Sequence, residues 1–205
     1  MTTVEIATPH GPANAHLHLA DDPPGALVLG HGAGGGIKAP DLAAATDVAS
    51  SLGIAVALVE QPYRVAGRRS PAPARQLDAA WVAVIEELAA EQLRGLPLVV
   101  GGRSAGARVA CRTAAETGAI GVLCLAFPVH PPGRPEKSRL EELDAVTVPT
   151  LVVQGERDPF GMPPPGPGRT VVQVPGDHGL KTGLDGLREG VREWLPRVYE
   201  HNPRS

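Results

Sequence analysis

A serine flanked by small residues lies in the segment GRSAG (102 to 106), after the apolar run LPLVV and before an Ala-rich segment. Where a strand turns sharply into a helix, small residues must flank the serine, and the turn holds its hydroxyl out above the sheet. The string Gly-x-Ser-x-Gly also arises by chance in a Gly-rich chain, so its position between a predicted strand and a predicted helix carries the argument. The pattern predicts that Ser104 is a nucleophile.

A base and an acid suited to activate this serine follow two later apolar runs. A serine hydroxyl attacks only when a base takes its proton, and the base needs an acid that orients it. Asp158 follows the run PTLVVQG, and His178 follows TVVQV. Carboxyl ends of parallel strands meet at one edge of a sheet, where ligands bind. The chain order Ser104, Asp158, His178 therefore predicts a catalytic triad.

Two rival acids and two rival bases stand near these positions: Asp177, Glu156, His130 and His31. Asp177 is adjacent to His178, and neighbouring side chains in a tight turn diverge, which favours Asp158. Glu156 is nearer to its strand and is the better rival. Both rival histidines precede the acid in the chain, which favours His178 as the base.

Acyl transfer also needs N–H donors for the negative charge that develops on the carbonyl oxygen. The N–H of Ala105, directly after the serine, is one candidate. The second is expected in the glycine loop GHGAGGG (30 to 36), because glycines let a backbone approach a substrate closely, and we assign it to the N–H of Ala33. Four residues are expected to support these loops: His31, Gly32, Gly102 and Gly106. His31 is expected to brace its loop by hydrogen bonds.

The glycine loop also fits a dinucleotide-binding motif, Gly-x-Gly-x-x-Gly, through Gly30, Gly32 and Gly35. Glu60 then ends the next strand, where such a fold keeps its ribose-binding acid. That motif requires the helix to start at the glycines, whereas Pro40 marks the helix start here. A phosphate-binding P-loop is excluded, since Lys38 is neither preceded by Gly nor followed by Ser or Thr. We therefore expect no cofactor.

Apolar runs alternate with helical segments along the whole chain, which predicts a single α/β domain over residues 1–205. The runs are continuous rather than alternating, as in parallel strands covered on both faces. They are ALVLG (26 to 30), IAVALVE (54 to 60), LPLVVGG (96 to 102), IGVLCLAF (120 to 127), PTLVVQG (149 to 155) and TVVQVPG (170 to 176). Segments 4–7 and 15–20 predict an antiparallel hairpin at one edge. The expected fold is a doubly wound, mostly parallel sheet of about eight strands.

Helices are predicted over 41–52, 74–94 and 104–116, with a last one that Thr182 is expected to cap. Two Pro- and Arg-rich segments, 62–74 and 127–139, follow strand ends and are expected near the site. Four residues are candidates for lining the pocket: Tyr63, Arg64, Phe127 and Phe160. Four arginines of these segments could meet an acidic substrate, although solvation explains them better: Arg64, Arg68, Arg69 and Arg134.

Charge and composition exclude several other classes of protein. Lys and Arg number 19 against 22 Asp and Glu, for a net charge of −3, which predicts no nucleic-acid or membrane partner. Cys111 and Cys124 lie in apolar runs, which favours reduced core thiols. These two cysteines and the seven scattered histidines are not spaced as the ligands of a zinc site are, so no metal is expected. The chain is expected to be cytoplasmic.

The sequence resembles the α/β-hydrolases over essentially its whole length, and most closely the small lidless group of testis-expressed protein thirty and dienelactone-hydrolase-like proteins. The strings that carry the resemblance are HGAGGG, GGRSAGARVA, FPVHPPGRPEKSR, QGERDPFG and GDHGLK. The resemblance implies the same triad and a core without a lid domain. Leu180 stands where this group often has an aromatic residue. Some members of the group act as scaffolds, so a non-catalytic binding role is the alternative.

These observations together predict a serine hydrolase. Its substrate would be a small molecule with an ester or another activated acyl bond, cleaved through an acyl-Ser104 intermediate. About twenty residues separate the strand ending at Phe127 from the one starting at Pro149, which leaves no room for a lid domain. Small or solvent-exposed acyl groups are therefore expected to be preferred over long lipid chains.

Overall fold

One eight-stranded sheet forms the centre of the molecule in a computed structural model that describes residues 2–202. The strands are β1 (Thr2–Ile6), β2 (Ala13–His18), β3 (Ala26–Gly30), β4 (Ala55–Glu60), β5 (Leu98–Arg103), β6 (Gly121–Leu125), β7 (Thr150–Gly155) and β8 (Arg169–Val174). Their order across the sheet is β1-β2-β4-β3-β5-β6-β7-β8. Strands β3 to β8 are parallel, whereas β2 pairs antiparallel with both β1 and β4. The predicted sheet and its edge hairpin are confirmed.

Within residues 2–202, five helices lie between strands and a sixth follows the last strand: α1 (Pro40–Ser51), α2 (Pro62–Val65), α3 (Ala74–Ala90), α4 (Ala105–Thr113), α5 (Leu140–Asp144) and α6 (Leu184–Glu200). The four predicted helices are present. The prediction that Thr182 caps the last helix is wrong. The cap position is Gly183, which has a left-handed backbone at φ 76°. Thr182 lies outside the helix, and its hydroxyl donates to the carbonyl of Pro175 at 3.0 Å.

Side chains from the two faces of the sheet enter two separate apolar clusters. Along β3, Ala26 and Val28 face the cluster with α3 and α4, whereas Leu27 and Leu29 face the cluster with α1 and α6. Because both faces are covered by helices, nearly every position of such a strand is apolar. This is why the strands appear as continuous apolar runs in the sequence.

The core is built mainly from aliphatic side chains, with few aromatic rings. Trp81 and Phe127 are the largest of its fully buried side chains. Cys111 and Cys124 are free and buried, with their Sγ atoms 3.5 Å apart, as the sequence predicts. Within residues 2–202, no helix is both long and apolar enough to cross a membrane.

Candidate active site

Ser104 occupies the sharp turn between β5 and α4, at the carboxyl end of a central strand. Its backbone angles, φ 52° and ψ −108°, are unusual for a residue with a side chain, and such conformations cost about 1–3 kcal/mol. Surrounding contacts hold the turn, since the Ser104 N–H donates to the carbonyl of Leu125 at 2.9 Å. Backbone strain of this kind is concentrated at functional sites.

The two glycines around the serine allow β5 and α4 to approach β3 closely. A Cβ atom added at Gly102 or at Gly106 would lie 2.5 Å from the carbonyl oxygen of Gly30. Two atoms cannot approach so closely without a backbone shift. The requirement for small residues at these positions, inferred from the sequence, thus has a steric cause in the packing of the turn.

His178 lies between Ser104 and Asp158 in a continuous chain of hydrogen bonds. Its Nε2 is 2.9 Å from the Ser104 hydroxyl oxygen. Its Nδ1–H donates to Oδ2 of Asp158 at 2.8 Å. The Asp158 side chain is fully buried, and that of His178 is 18% exposed. The structure therefore brings together three residues separated by up to 74 positions in the chain.

The rival residues occupy other positions. Asp177 is exposed, and its Oδ1 accepts from the N–H of Gly179 at 2.8 Å. Glu156 is exposed as well. The Nδ1 of His130 is bonded to the carbonyl of Pro131, at 2.9 Å. Of the carboxylates considered from the sequence, Asp158 is the one that contacts the histidine next to Ser104.

Gln154 supports Asp158 and was not identified from the sequence. Its Nε2 donates to Oδ2 of Asp158 at 2.8 Å and to the carbonyls of Gly161 and Phe127. The other carboxylate oxygen accepts from the N–H of Phe160 at 2.8 Å. One sequence signal could have revealed this role: Gln154 is a polar residue directly after the apolar run LVV of strand β7. The structure shows that it is fully buried.

The glycine loop after β3 is held beside Ser104 by three hydrogen bonds. The hydroxyl of Tyr63 donates to the carbonyl of Ala33 at 2.8 Å. The Nδ1–H of His31 donates to the carbonyl of Gly32 at 2.8 Å, and its Nε2 accepts from the N–H of Gln61 at 3.1 Å. Burial lowers the pKa of His31, which favours this neutral form. His31 thus braces the loop with both ring nitrogens.

The two residues whose N–H groups are candidate donors for a developing negative charge lie at the same cleft. Ala33 and Ala105 line it together with Ser104 and His178. Ala105 is the first residue of α4, so its N–H has no acceptor within the helix. An oxygen atom of a bound molecule could accept from this N–H.

Arg103, the variable residue before the serine of the motif, connects the site to α1. One of its amino groups donates to the carbonyl of His178 at 2.9 Å. Its Nε lies 3.0 Å from Oδ2 of Asp41, a carboxylate that is fully buried at the start of α1. Burial raises the pKa of Asp41, and the positive charge of Arg103 opposes that rise. Arg103 therefore positions the loop that carries the histidine.

An open cleft of about 300 Å³ lies above Ser104. It is lined by Ala33, Pro71, Ala72, Ala74, Leu77, Ser104, Ala105, Arg108, Arg112, Pro128, Pro132, Arg139, Phe160 and His178. The ring of Phe160 packs edge-on against the imidazole of His178, with centroids 4.2 Å apart.

Three of the four residues expected to line the pocket lie elsewhere. Phe127 is fully buried in the core, and Tyr63 lies behind the glycine loop that it holds. Arg64 donates to the carbonyl of Arg68. Phe160 alone among the four lines the cleft. Leu180 is also fully buried, in the core cluster under α1 and α6, and does not form a pocket wall.

The dinucleotide interpretation of the glycine loop does not fit the structure. Helix α1 begins at Pro40, so Gly36 is separated from it by three residues, and the loop does not run directly into a helix start. Glu60, the candidate ribose-binding acid, is bonded to Nε2 of His16 at 2.8 Å. Among residues 2–202, no group of three or more His, Cys, Asp or Glu side chains is placed to hold a metal ion.

Comparison with known proteins extends these observations. The sequence pattern of the family described as alpha/beta hydrolase domain matches residues 23–166, more than half of the chain. No curated protein matches. Among solved structures, XC6422 from Xanthomonas campestris, an α/β serine hydrolase without a lid, has a TM-score of 0.74 at 24% identity, over 95% of each chain.

Two further solved structures have the same fold. Est1E from Butyrivibrio proteoclasticus has a TM-score of 0.78 at 16% identity, over 98% of this chain and 100% of its own. Dienelactone hydrolase from Anabaena variabilis has a TM-score of 0.75 at 18% identity, over 96% of each chain. The predicted lidless fold and the resemblance stated from the sequence are confirmed.

Proposed function

Because the chain belongs to the alpha/beta hydrolase family, we propose that it is a serine hydrolase that cleaves an ester or another activated acyl bond. The observation that supports this proposal is the chain of hydrogen bonds from Asp158 through His178 to Ser104, beside an open cleft. We further propose the cytoplasm as its location, which agrees with two free cysteines in the core.

In the first half of the proposed reaction, His178 Nε2 takes the proton of the Ser104 hydroxyl while the oxygen attacks the carbonyl carbon. The carbonyl oxygen becomes negative and accepts hydrogen bonds from the N–H groups of Ala33 and Ala105. His178 then gives its proton to the departing alcohol oxygen. The carbon–oxygen bond breaks, and an acyl-Ser104 ester remains.

In the second half, a water molecule takes the place of the alcohol. His178 removes its proton, the oxygen attacks the acyl carbon, and Ser104 leaves with the proton from His178. In this scheme Asp158 does not take up the proton, and His178, Gln154 and the N–H of Phe160 all donate hydrogen bonds to it. Its role is to keep the proton on Nδ1 and so leave Nε2 free to act. The scheme needs no cofactor.

The proposed reaction is tested most directly with a fluorophosphonate, which reacts with activated serines. We expect labelling of the wild-type protein at Ser104 and none in folded Ser104→Ala. Ser70→Ala is the matched control, since Ser70 is more exposed than Ser104 and is expected not to react. Mass spectrometry of the labelled peptide identifies the residue. A folded wild-type protein that does not react would support a non-catalytic binding role.

The open cleft leads to a prediction about chain length. A buried methylene group contributes about 0.8 kcal/mol, but only where protein walls remove it from water. With no lid above a cleft of about 300 Å³, the far end of a long acyl chain stays in solvent. We expect kcat/KM for p-nitrophenyl acetate or butyrate to exceed that for the dodecanoate. The opposite order, measured below the aggregation limit of the ester, would contradict this prediction.

A further inference from the structure

One wall of the cleft carries three arginines that the proposed reaction does not use: Arg108, Arg112 and Arg139. Two of them follow Ser104 at four-residue spacing on one face of α4. The N–H of Arg108 donates to the carbonyl of Ser104 at 3.2 Å. With a rise of about 1.5 Å per residue, Arg108 and Arg112 begin roughly 6 and 12 Å along the helix axis from the serine.

Carboxylates hold the first two arginines in place. The Nε of Arg108 donates to Glu142 at 2.8 Å. Arg112 makes a two-pronged pair with Asp78 at 2.6 and 2.8 Å and lies 3.3 Å from Glu142. These side chains are only 14–24% exposed, so the pairs are partly shielded from solvent. The network contributes two positive and two negative charges to the wall.

Arg139 adds a third positive charge to a wall whose other two arginines are already paired with carboxylates. Its backbone N–H donates to the carbonyl of Val129 at 2.7 Å. Its half-buried guanidinium has no carboxylate within ion-pair distance among residues 2–202. Burial and the nearby charge of Arg108 lower the pKa of Arg139, and Glu142 opposes them. An unpaired, partly desolvated cation favours an anion from a bound molecule.

We propose that the cleft selects an ester that also carries a carboxylate, and that Arg139 binds this carboxylate. The inference rests on the proposed function and adds the substrate class to it. A single unbalanced guanidinium matches a group with one negative charge, and its planar fork binds a carboxylate through two parallel hydrogen bonds. Since Arg108 and Arg112 are already held by Glu142 and Asp78, the wall is ordered before the substrate arrives.

The four arginines singled out from the sequence do not line this cleft. Arg68 lines a separate, smaller cavity of about 120 Å³. Arg64 bonds to a backbone carbonyl, and Arg69 and Arg134 are exposed. Arg134 lies on the same loop as Arg139 and outside the cleft, which makes it a matched control for the loss of one positive charge.

The test compares pairs of esters that differ only in charge. On the acyl side, mono-p-nitrophenyl adipate is compared with the primary amide of the same molecule. On the alcohol side, 5-(butyryloxy)pentanoate is compared with its primary amide. We expect wild-type kcat/KM to favour the carboxylate by about tenfold or more in one pair. Added salt should reduce this preference.

Substitutions then assign the preference to Arg139. We expect Arg139→Gln to lower the carboxylate-to-amide ratio of kcat/KM by about tenfold, chiefly through KM, and Arg139→Lys to keep part of it. Arg134→Gln should retain the wild-type ratio. Equal cleavage of carboxylate and amide in both pairs, or an unchanged ratio in Arg139→Gln, would overturn the inference and leave the proposed hydrolase intact.

A binding measurement separates this inference from the proposed function. If no ester is cleaved and no fluorophosphonate reacts, the proposed function fails. Calorimetric titration with adipate then tests the anion site alone. Binding that is lost in Arg139→Gln and kept in Arg134→Gln supports the site, whereas no binding to the folded wild-type protein overturns it.

Discussion

Replacing Asp158 by Asn is expected to lower kcat for p-nitrophenyl butyrate by about ten-thousandfold. Both carboxylate oxygens accept hydrogen bonds, one from His178 and Gln154 and the other from the N–H of Phe160. An amide has a single acceptor oxygen, so one of these donors must face an NH₂ group. When that group faces His178, the imidazole proton moves to Nε2, and the base can no longer accept the Ser104 proton.

The two rival acids provide the controls for this prediction. Asp177 and Glu156 are exposed, and neither side chain forms a hydrogen bond or an ion pair with the His178 ring, whose partners are Asp158 and Ser104. We expect Asp177→Asn and Glu156→Gln to change kcat by no more than about twofold, because exposed substitutions away from the reacting groups perturb the folded structure little. Each variant is checked for folding by circular dichroism before the rates are measured. A large loss of kcat in Asp177→Asn with Asp158→Asn still active would refute the assignment of the acid.

Replacing Gly106 by Ala is expected to destabilise the protein by roughly 1–3 kcal/mol or more, as overpacking does in a close-packed interior. The added Cβ would lie 2.5 Å from the carbonyl oxygen of Gly30 and 2.9 Å from that of His31. Both are backbone atoms, so helix α4 or the glycine loop must move. We expect this movement to change the distance between Ala105 and Ala33, so activity should fall together with stability.

Urea unfolding gives the change in stability, and the rate on p-nitrophenyl butyrate gives the change in activity. Gly36→Ala is the matched control in the same glycine loop, because no heavy atom lies within 4 Å of a Cβ at that position. Its free energy of unfolding should stay within about 0.5 kcal/mol of wild type. A fully stable Gly106→Ala would show that the close approach of α4 to β3 is not required.

Much of the fold could be predicted from the sequence, because strands that are buried on both faces of the sheet have a recognisable local pattern of apolar residues. Each central strand is a short, continuous apolar run, and helices of apolar spacing separate the runs. The order of serine, acid and base at three strand ends likewise predicted the approach of Ser104, Asp158 and His178, since parallel strands bring their carboxyl ends to one edge.

The start of the last helix and the walls of the cleft could not be predicted in this way. Thr182 has the residue type of a helix cap, but the left-handed turn at Gly183 leaves it outside the helix. Tyr63 and Phe127 both follow strand ends, yet one holds a loop from behind and the other enters the core. Sequence position places a residue near an edge, whereas side-chain direction depends on what packs against it.

The sequence by itself thus determined the order of strands and helices, the small residues at the serine turn and the three residues of the candidate triad. Each of these has a local cause, either in residue size or in the periodicity of apolar residues. Only the tertiary structure decided that Gln154 supports Asp158, that Arg103 connects Asp41 to the His178 loop, and that Arg139 faces the cleft without a counter-charge. The contacts of Arg103 join residues far apart in the chain, whereas Gln154 and Asp158 are only four residues apart and meet because the chain turns after β7. The electrostatics of all these groups depend on burial that only the folded structure creates.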